Sequence, residues 1–381
     1  MPIESGLVVS NGPATRKIMF VVSSLMGAGH LQRILLIANA VERAGGTALI
    51  VSGGRVPDHL DTGRATIRHL PPVWSDGVDY SRLLTPHGEA DEAYFAQRGE
   101  SLCAHFDEFL PDVVVTELFP FGRRALSVEF MKFLTHAHGR ARIFASIRDV
   151  LEPKKKPKRH AETAERLRAW YDGVLVHGDP QIIGLDATWP LSGEVSDLIS
   201  YTGYVCAPEV ERISADEILV AVGGGVIGRN MLSTAIQAAR GGTRFWRLRV
   251  GGTDAPEVAR ALQRVAGDAP VIVEPAASDY RARLAGCACS VSLFGYNTAT
   301  DLLISAPPAV ISPMDEGGER EQIIRADAFG KVPGFIRLSQ MSPNALREAV
   351  ETAILQASPK HRTILTDGAR KSAEILMTVG Q

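Results

Sequence analysis

Residues 27–33 read Gly-Ala-Gly-His-Leu-Gln-Arg, directly after the apolar run KIMFVVSS (17–24). Glycines between a strand and a helix let the backbone turn tightly, and such turns commonly hold a phosphate on helix amides. The dinucleotide spacing is broken here, because a third glycine would fall at Gln32. In its place stands His30, a side chain that exchanges protons near neutral pH. Arg33 lies one helical turn further on. The loop therefore joins a phosphate-type turn to a residue suited to acid–base work; capping or ordering the helix is the plain alternative for His30.

Three segments of the second half carry further candidates. In VGGGVIG (222–228), Gly223, Gly225 and Gly228 satisfy G-x-G-x-x-G, and the backbone at Gly224 and Gly225 could admit a diphosphate. In SLFGYNTATDLL (292–303), Gly295 follows a strand and Asn297 or Thr298 can cap the next helix. Asp301 reads either as the acid of a Thr298-x-x-Asp301 capping box or as an acceptor for ribose hydroxyls. In PMDEGGEREQIIRADAF (313–329), two glycines precede a polar helix start offering Glu319, Arg320, Glu321 and Gln322. Carboxylate and amide groups suit sugar hydroxyls, although acids also gather at helix N-termini for dipole reasons. In the first half Glu117, Arg123, Arg148, Asp149, Glu152, His177 and Asp179 follow strand-like runs. Salt bridges or caps explain each singly; Arg148 and Asp149 are the pair expected to touch an acceptor or to support His30.

Alternating elements must position these groups. Strand-like runs at 17–24, 47–54, 112–119, 141–149 and 173–179 are separated by helical or loop stretches. The pattern restarts at 217–225, followed by a helix over 229–240 and strands at 244–252, 270–275, 289–295 and 308–313. Such alternation predicts parallel strands with helical crossovers. The expected architecture is α/β, two Rossmann-like domains with parallel sheets facing across a cleft. An N-terminal domain would span 1–205 and a second 206–365, with a linker around 201–212. A closing helix in 366–381 is expected to pack back on the first domain.

Composition narrows the function classes. The 381 residues include 45% hydrophobic and 22% charged side chains, an ordinary soluble balance. A net charge of −2 gives no global pull toward nucleic acid. No apolar run approaches a membrane span, and the first residues lack the form of a secretory signal, so a cytoplasmic location is expected. The four cysteines are too few for a disulfide framework, and Cys287 and Cys289 read as small residues of a buried strand. The run KKKPKRH (154–160) reads as a solvated loop, with contact to an anionic acceptor or a membrane surface as the sharper alternative.

The order of the three second-half segments resembles the nucleotide-sugar half of the GT-B glycosyltransferases, particularly the MurG-type branch. In that branch a strand–glycine loop contacts the diphosphate. A later G-x-x-T-x-x-(E/D) segment holds diphosphate and ribose, and a proline loop followed by Gln holds the donor sugar. Gly224 and Gly225, then Gly295, Thr298 and Asp301, then Gln322 match those roles. The sequence departs from the pattern at Asp301, usually glutamate, and at Phe294, usually a small residue. The G-x-G-H loop looks like the N-terminal loop of the same branch. More closely, GAGHLQR, ELFPFGRRAL, SIRDVLE, YDGVLVHGDP, YTGYV, GYNTATDLL and EQIIRA resemble a set of predicted MurG-like glycosyltransferases, nearly end to end.

That resemblance implies transfer of a sugar from a nucleotide diphosphate sugar, expected to be a UDP-sugar, with inversion. Gly27 and Gly29 would bring the first loop to the reacting centre from across the cleft. His30 would be the base, with Asp149 in support, while Arg33, Glu117 and Arg148 line the acceptor side. Helix amides and Arg320 would stabilise the departing diphosphate. No D-x-D motif occurs, so neither a metal nor another cofactor is expected. The acceptor could be a small molecule, lipid-linked or peptide. A nucleotide-sugar hydrolase, using the same G-x-G-H-x-x-R loop on water, is the alternative. A nicotinamide oxidoreductase would need Asp254 to hold a ribose, and a non-catalytic sensor would not need His30.

Overall fold

The computed structural model describes residues 15–55, 62–75, 82–153, 157–222, 228–240, 242–313, 320–356 and 363–380. Its first sheet contains β1 (Lys17–Val22), β2 (Thr47–Ser52) and β3 (Thr66–His69). A short ribbon, β4 (Leu84–Thr85) with β5 (Gly88–Glu89), stands apart from it. The sheet continues with β6 (Val113–Glu117), β7 (Arg142–Arg148), β8 (Gly173–His177) and β9 (Ile199–Tyr201). Their spatial order is β3-β2-β1-β6-β7-β8-β9, and every pairing is parallel.

The second sheet contains β10 (Glu217–Ala221), β11 (Phe245–Val250), β12 (Val271–Pro275), β13 (Cys289–Leu293), β14 (Ala309–Ser312) and β15 (Phe335–Arg337). It repeats the winding in the order β12-β11-β10-β13-β14-β15, again all parallel. The repeat of strand and helix in the sequence is thus a repeat of doubly wound topology. The ten expected strands are all present. The edge strands β3, β9 and β15 were not anticipated, being only three or four residues long.

Helices cover both faces. In the first half these are α1 (Gly29–Arg43), α2 (Glu92–Phe109), α3 (Ser127–Ala137) and α4 (Pro157–Trp170). The second has α5 (Arg229–Ala239), α6 (Ala255–Ala266), α7 (Tyr280–Leu284), α8 (Tyr296–Ser305), α9 (Glu321–Phe329), α10 (Pro343–Leu355) and α11 (Gly368–Thr378).

Because a parallel sheet is buried on both faces, its strands are nearly continuous apolar runs. In β1, Met19 and Val21 enter one core with Phe106, Phe130 and Phe133, whereas Ile18, Phe20 and Val22 enter another with α1. That second core also receives Ala373 and Leu376 of α11, so the last helix lies on the first sheet's α1 face. In the second half Ile218 and Val220 face one core and Leu219 the other. Cys289 is buried in β13, and Cys287 is buried two residues before that strand begins. Among the described residues, no helix is long and apolar enough to cross a membrane.

Candidate active site

Each sheet changes winding direction once, between β1 and β6 and between β10 and β13. Ligands of open α/β sheets sit outside the carboxyl ends of the strands at such switch points. In the first sheet those ends carry the Gly27–Arg33 loop after β1 and Glu117 at the end of β6. In the second they carry Gly295–Asp301 after β13. Gly224 and Gly225 lie outside the described residues. The other candidates can be placed one by one.

His30 is the second residue of α1, and its ring touches the end of β6. Its Nδ1 lies 2.6 Å from Glu117 Oε1. Glu117 is fully buried, and Arg33 Nη2 donates to the same oxygen at 2.6 Å. Arg123 stands 3.7 Å from Oε2. Burial by itself would raise the Glu117 carboxyl, but His30, Arg33 and Arg123 outweigh it and hold it well below the usual carboxylate range. An ionised carboxylate only accepts hydrogen bonds, so Nδ1 must carry the ring proton and Nε2 is left as a bare lone pair. Arg33 Nη2 at 3.4 Å from Nδ1 is then a meeting of two donors around one carboxylate oxygen, not a third hydrogen bond.

Burial also brings the His30 pKa down to about 4, against the raising effect of Glu117 and with the help of Arg123 and Arg33. The imidazole is therefore neutral at pH 7. It is oriented by a buried carboxylate, and its side chain keeps 16% of its surface open. The N-cap of α1 is Ala28, and no side chain caps the helix. His30 thus does not serve as the cap.

The two glycines of the loop have different reasons. Gly27 takes a φ of +59°, a conformation that L side chains rarely adopt. At Gly29 a Cβ would lie 2.8 Å from Asn297 Nδ2, so this position is a close approach between the two halves. The first turns of α1 and α8 therefore meet face to face.

Gly295 is the N-cap of α8 with extended backbone, and the first intrahelical bond runs from Ala299 N–H to Gly295 O at 3.0 Å. The amides of Tyr296, Asn297 and Thr298 precede that bond, the position where helix termini receive anions. Because the helix starts at Tyr296, Thr298 is not a cap and the Thr298–Asp301 capping box does not form. Asp301 instead accepts from Arg281 Nε at 2.9 Å, and Arg281 Nη2 also donates to the carbonyls of Ala207 and Pro208. Burial pushes the Asp301 carboxyl up to about 6 against the pull of Arg281. Phe294 turns into the core, 5.0 Å from Phe329 between ring centroids, so its bulk does not fill the loop side.

The structure places Glu117, not Asp149, behind His30. Asp149 is buried and faces the second half, where Arg325 donates to it through Nε at 3.0 Å and Nη2 at 2.8 Å. Tyr204 adds a hydroxyl donor at 3.2 Å. A carboxylate saturated by a guanidinium cannot also orient a ring elsewhere. Arg148, expected on the acceptor side, pairs with Glu321. Glu321, expected to reach a donor sugar, spends its carboxylate on Arg148 and on Arg325 at 2.8 Å. Arg320 is the N-cap of α9, and Gln322 occupies its first turn. His177 is buried between the hydroxyls of Ser146 and Thr202, each at 2.8 Å, and Asp179 receives the amide of Leu365.

Sequence reasoning gave no role to Tyr296 and Arg325. Tyr296 is buried with the Arg33 guanidinium 5.1 Å and the Arg325 guanidinium 5.8 Å from its ring centroid. Its hydroxyl accepts the Val205 amide at 3.1 Å. The one available signal for Arg325 was its place four residues after Glu321, on the same helix face. Asp254 is ion-paired with Arg229 at 2.5 Å, which leaves the nicotinamide reading without a free ribose acceptor.

No family model matches the chain. A 98-residue stretch is 32% identical to the UDP-N-acetylglucosamine–N-acetylmuramyl-(pentapeptide) pyrophosphoryl-undecaprenol N-acetylglucosamine transferase of Rhodopseudomonas palustris, spanning 26% of this chain and 26% of that protein. Among solved structures, MurG of Acinetobacter baumannii superposes with a TM-score of 0.61 at 15% identity, over 95% of this chain and 99% of that one. The calicheamicin glycosyltransferase CalG4 gives 0.58 at 14% identity, over 96% and 95%. UDP-N-acetylglucosamine 2-epimerase from Rickettsia bellii gives 0.58 at 12% identity, over 95% and 94%. The fold is therefore the two-sheet α/β arrangement of the GT-B glycosyltransferases, MurG among them, and the same arrangement also houses an epimerase.

Proposed function

We propose that this protein is a glycosyltransferase that uses a nucleotide diphosphate sugar, most naturally a UDP-sugar, and that His30 is its general base. The observation that carries this reading is the His30–Glu117 pair at one switch point, set opposite the first turn of α8 at the other. The short match to a UDP-N-acetylglucosamine-using transferase supports it. That match and the sequence resemblance support a UDP-sugar as the donor.

The proton balance is direct. The acceptor O–H gives its proton to His30 Nε2 as its oxygen attacks the anomeric carbon, and the bond from that carbon to the diphosphate oxygen breaks. The imidazolium so formed is stabilised by the buried Glu117 carboxylate through Nδ1–H. The leaving diphosphate carries the negative charge away to the amides that open α8. Attack from the His30 side on a donor held by α8 inverts the anomeric carbon. Asn297, Thr298 and Asp301 hold diphosphate and ribose, and Gln322 holds the donor sugar. No step requires a metal. The acceptor approaches the open side of the His30 ring, 16% of whose side chain is exposed. The work is placed in the cytoplasm, where nucleotide sugars are made.

The test is nucleoside diphosphate release from a panel of nucleotide sugars, with wild type and His30→Ala. Donor binding with little release until an acceptor is added supports transfer. Rapid His30-dependent release without acceptor assigns the same dyad to water and makes the protein a hydrolase. His30→Ala should remove turnover and leave donor affinity nearly intact; a large loss of donor binding refutes its assignment as base.

A further inference from the structure

Three residues at the end of β7 and just beyond it, Arg148, Asp149 and Glu152, hold the N-terminal half of α9 from across the cleft. Glu152 accepts the backbone N–H of Arg320 at 3.1 Å and that of Glu321 at 3.2 Å. Arg148 pairs with the Glu321 carboxylate, and Asp149 takes both Nε and Nη2 of Arg325. Each contact is complementary: an anion on the positive end of a helix, a cation on an acid, an acid on a cation. Asp149 and Arg325 are fully buried, so their geometry is fixed on all sides. From its own half, α9 is held through Ala326 and Phe329, which enter the core with Ile311 and Phe335. That apolar contact lies toward the far end of the helix. Arg325 Nη1 also donates to the Phe294 carbonyl at 3.4 Å and Asp327 pairs with Arg337, both beyond the first turn; among the described contacts, Arg320 and Glu321 at the start of the helix are held from the opposite unit.

Gln322 is the next residue after the Glu321 amide that Glu152 holds. On a helix each residue advances by about 100°, so a small rotation of the first turn re-aims Gln322 substantially. We infer that Arg148, Asp149 and Glu152 are positioning residues for the donor sugar, and that donor-sugar selection is controlled in part from the acceptor-side unit. This rests on the reading of Gln322 as the donor-sugar contact. It also accounts for Arg148 and Asp149 being drawn away from His30: their charges are committed to α9.

Glu152 gives the cleanest test, because it is outside the catalytic pair and its described hydrogen bonds to the start of α9 go to backbone amides. UDP and UDP-N-acetylglucosamine binding are measured by calorimetry for wild type, Glu152→Ala and Glu152→Gln, alongside amide hydrogen exchange over residues 320–323. The glutamine retains an oxygen that accepts the same amides. Expected are faster exchange and about tenfold weaker sugar-nucleotide binding in Glu152→Ala, unchanged UDP binding, and recovery of both properties in Glu152→Gln. Equal losses for UDP and the sugar nucleotide overturn the inference, as does faster exchange with unchanged affinity for both ligands. Should wild type bind neither UDP nor any sugar nucleotide of a panel, the donor reading itself fails. Glu152 is then only a tie between units, and the inference falls with it.

Discussion

Glu117→Gln isolates what the buried carboxylate contributes to proton transfer. The substitution keeps size and leaves an oxygen that can accept Nδ1–H, but removes the charge that would face the imidazolium. With charge centres about 4 Å apart and an effective dielectric near 20, that pairing is worth about 4 kcal/mol. Lost in the transition state alone, it corresponds to roughly a 10³-fold fall in kcat. The side-chain amide can also turn its NH2 toward His30, which would put the ring proton on Nε2 and remove the base outright. Arg33 and Arg123 lose their counter-charge, so the melting temperature should fall as well; unpairing buried charges costs about 3–5 kcal/mol. The assay is nucleoside diphosphate release with saturating donor, on protein shown to be folded by near-UV circular dichroism. Glu117→Asp, which keeps the charge on a shorter arm, should recover part of the rate. Donor affinity should stay near that of wild type, because Glu117 faces His30 and not α8. A Glu117→Gln enzyme with wild-type kcat, or one whose whole defect is donor binding, refutes the dyad.

Four other outcomes follow from the same geometry. With His30 held at about 4, kcat at saturating donor should persist through pH 6 and fall only as pH drops toward 4; a kcat midpoint at an ordinary histidine value would show that burial does not control the ring. The unfolded state protonates His30 near 6.5 and the folded state near 4, so this residue removes about 2 kcal/mol of stability between pH 7 and pH 5. His30→Gln should flatten urea-unfolding stability over that range by the same amount, since the buried His177 contributes equally to both proteins. For Asp301, brought up to about 6 by burial, a role as ribose acceptor requires the ionised form. Donor affinity should strengthen as pH rises through 6 and lose that dependence in Asp301→Asn; an unchanged affinity with a lower melting temperature leaves only the tie to Arg281. Gly29→Ala should lower kcat/KM by forcing Asn297 aside, and a second change, Asn297→Ala, should restore room so that the pair is less than additive.

The legible parts of this protein and the illegible ones divide by sequence distance. Strands, helix starts and the double winding are written in local patterns of two and 3.6 residues, and the glycine turns mark where each sheet reverses. From winding alone, the residues at the ends of β1, β6 and β13 had to lie at the strands' carboxyl ends, which is where His30, Glu117 and Gly295 stand. What no local pattern carries is which charge answers which. Glu117 and Asp149 end neighbouring strands, both buried and both flanked by arginines, and either could have backed His30. The outcome was decided by Arg33, three residues after His30, and by Arg325, 176 residues from Asp149. Arg33 adds its charge to the carboxylate that His30 meets, while Arg325 satisfies the other one from the opposite unit. In a two-unit enzyme the strand ends must supply both the chemistry and the contacts that align the units. An acid there has two possible employments, and the partner across the cleft selects between them. The same logic makes the Asp149–Arg325 pair the sharpest control for the catalytic assignment. Asp149→Asn should loosen the contact between units and weaken sugar-nucleotide binding while leaving the acid limb of the pH–rate profile where His30 sets it. A shifted limb in Asp149→Asn, with none in Glu117→Gln, would reverse the two assignments.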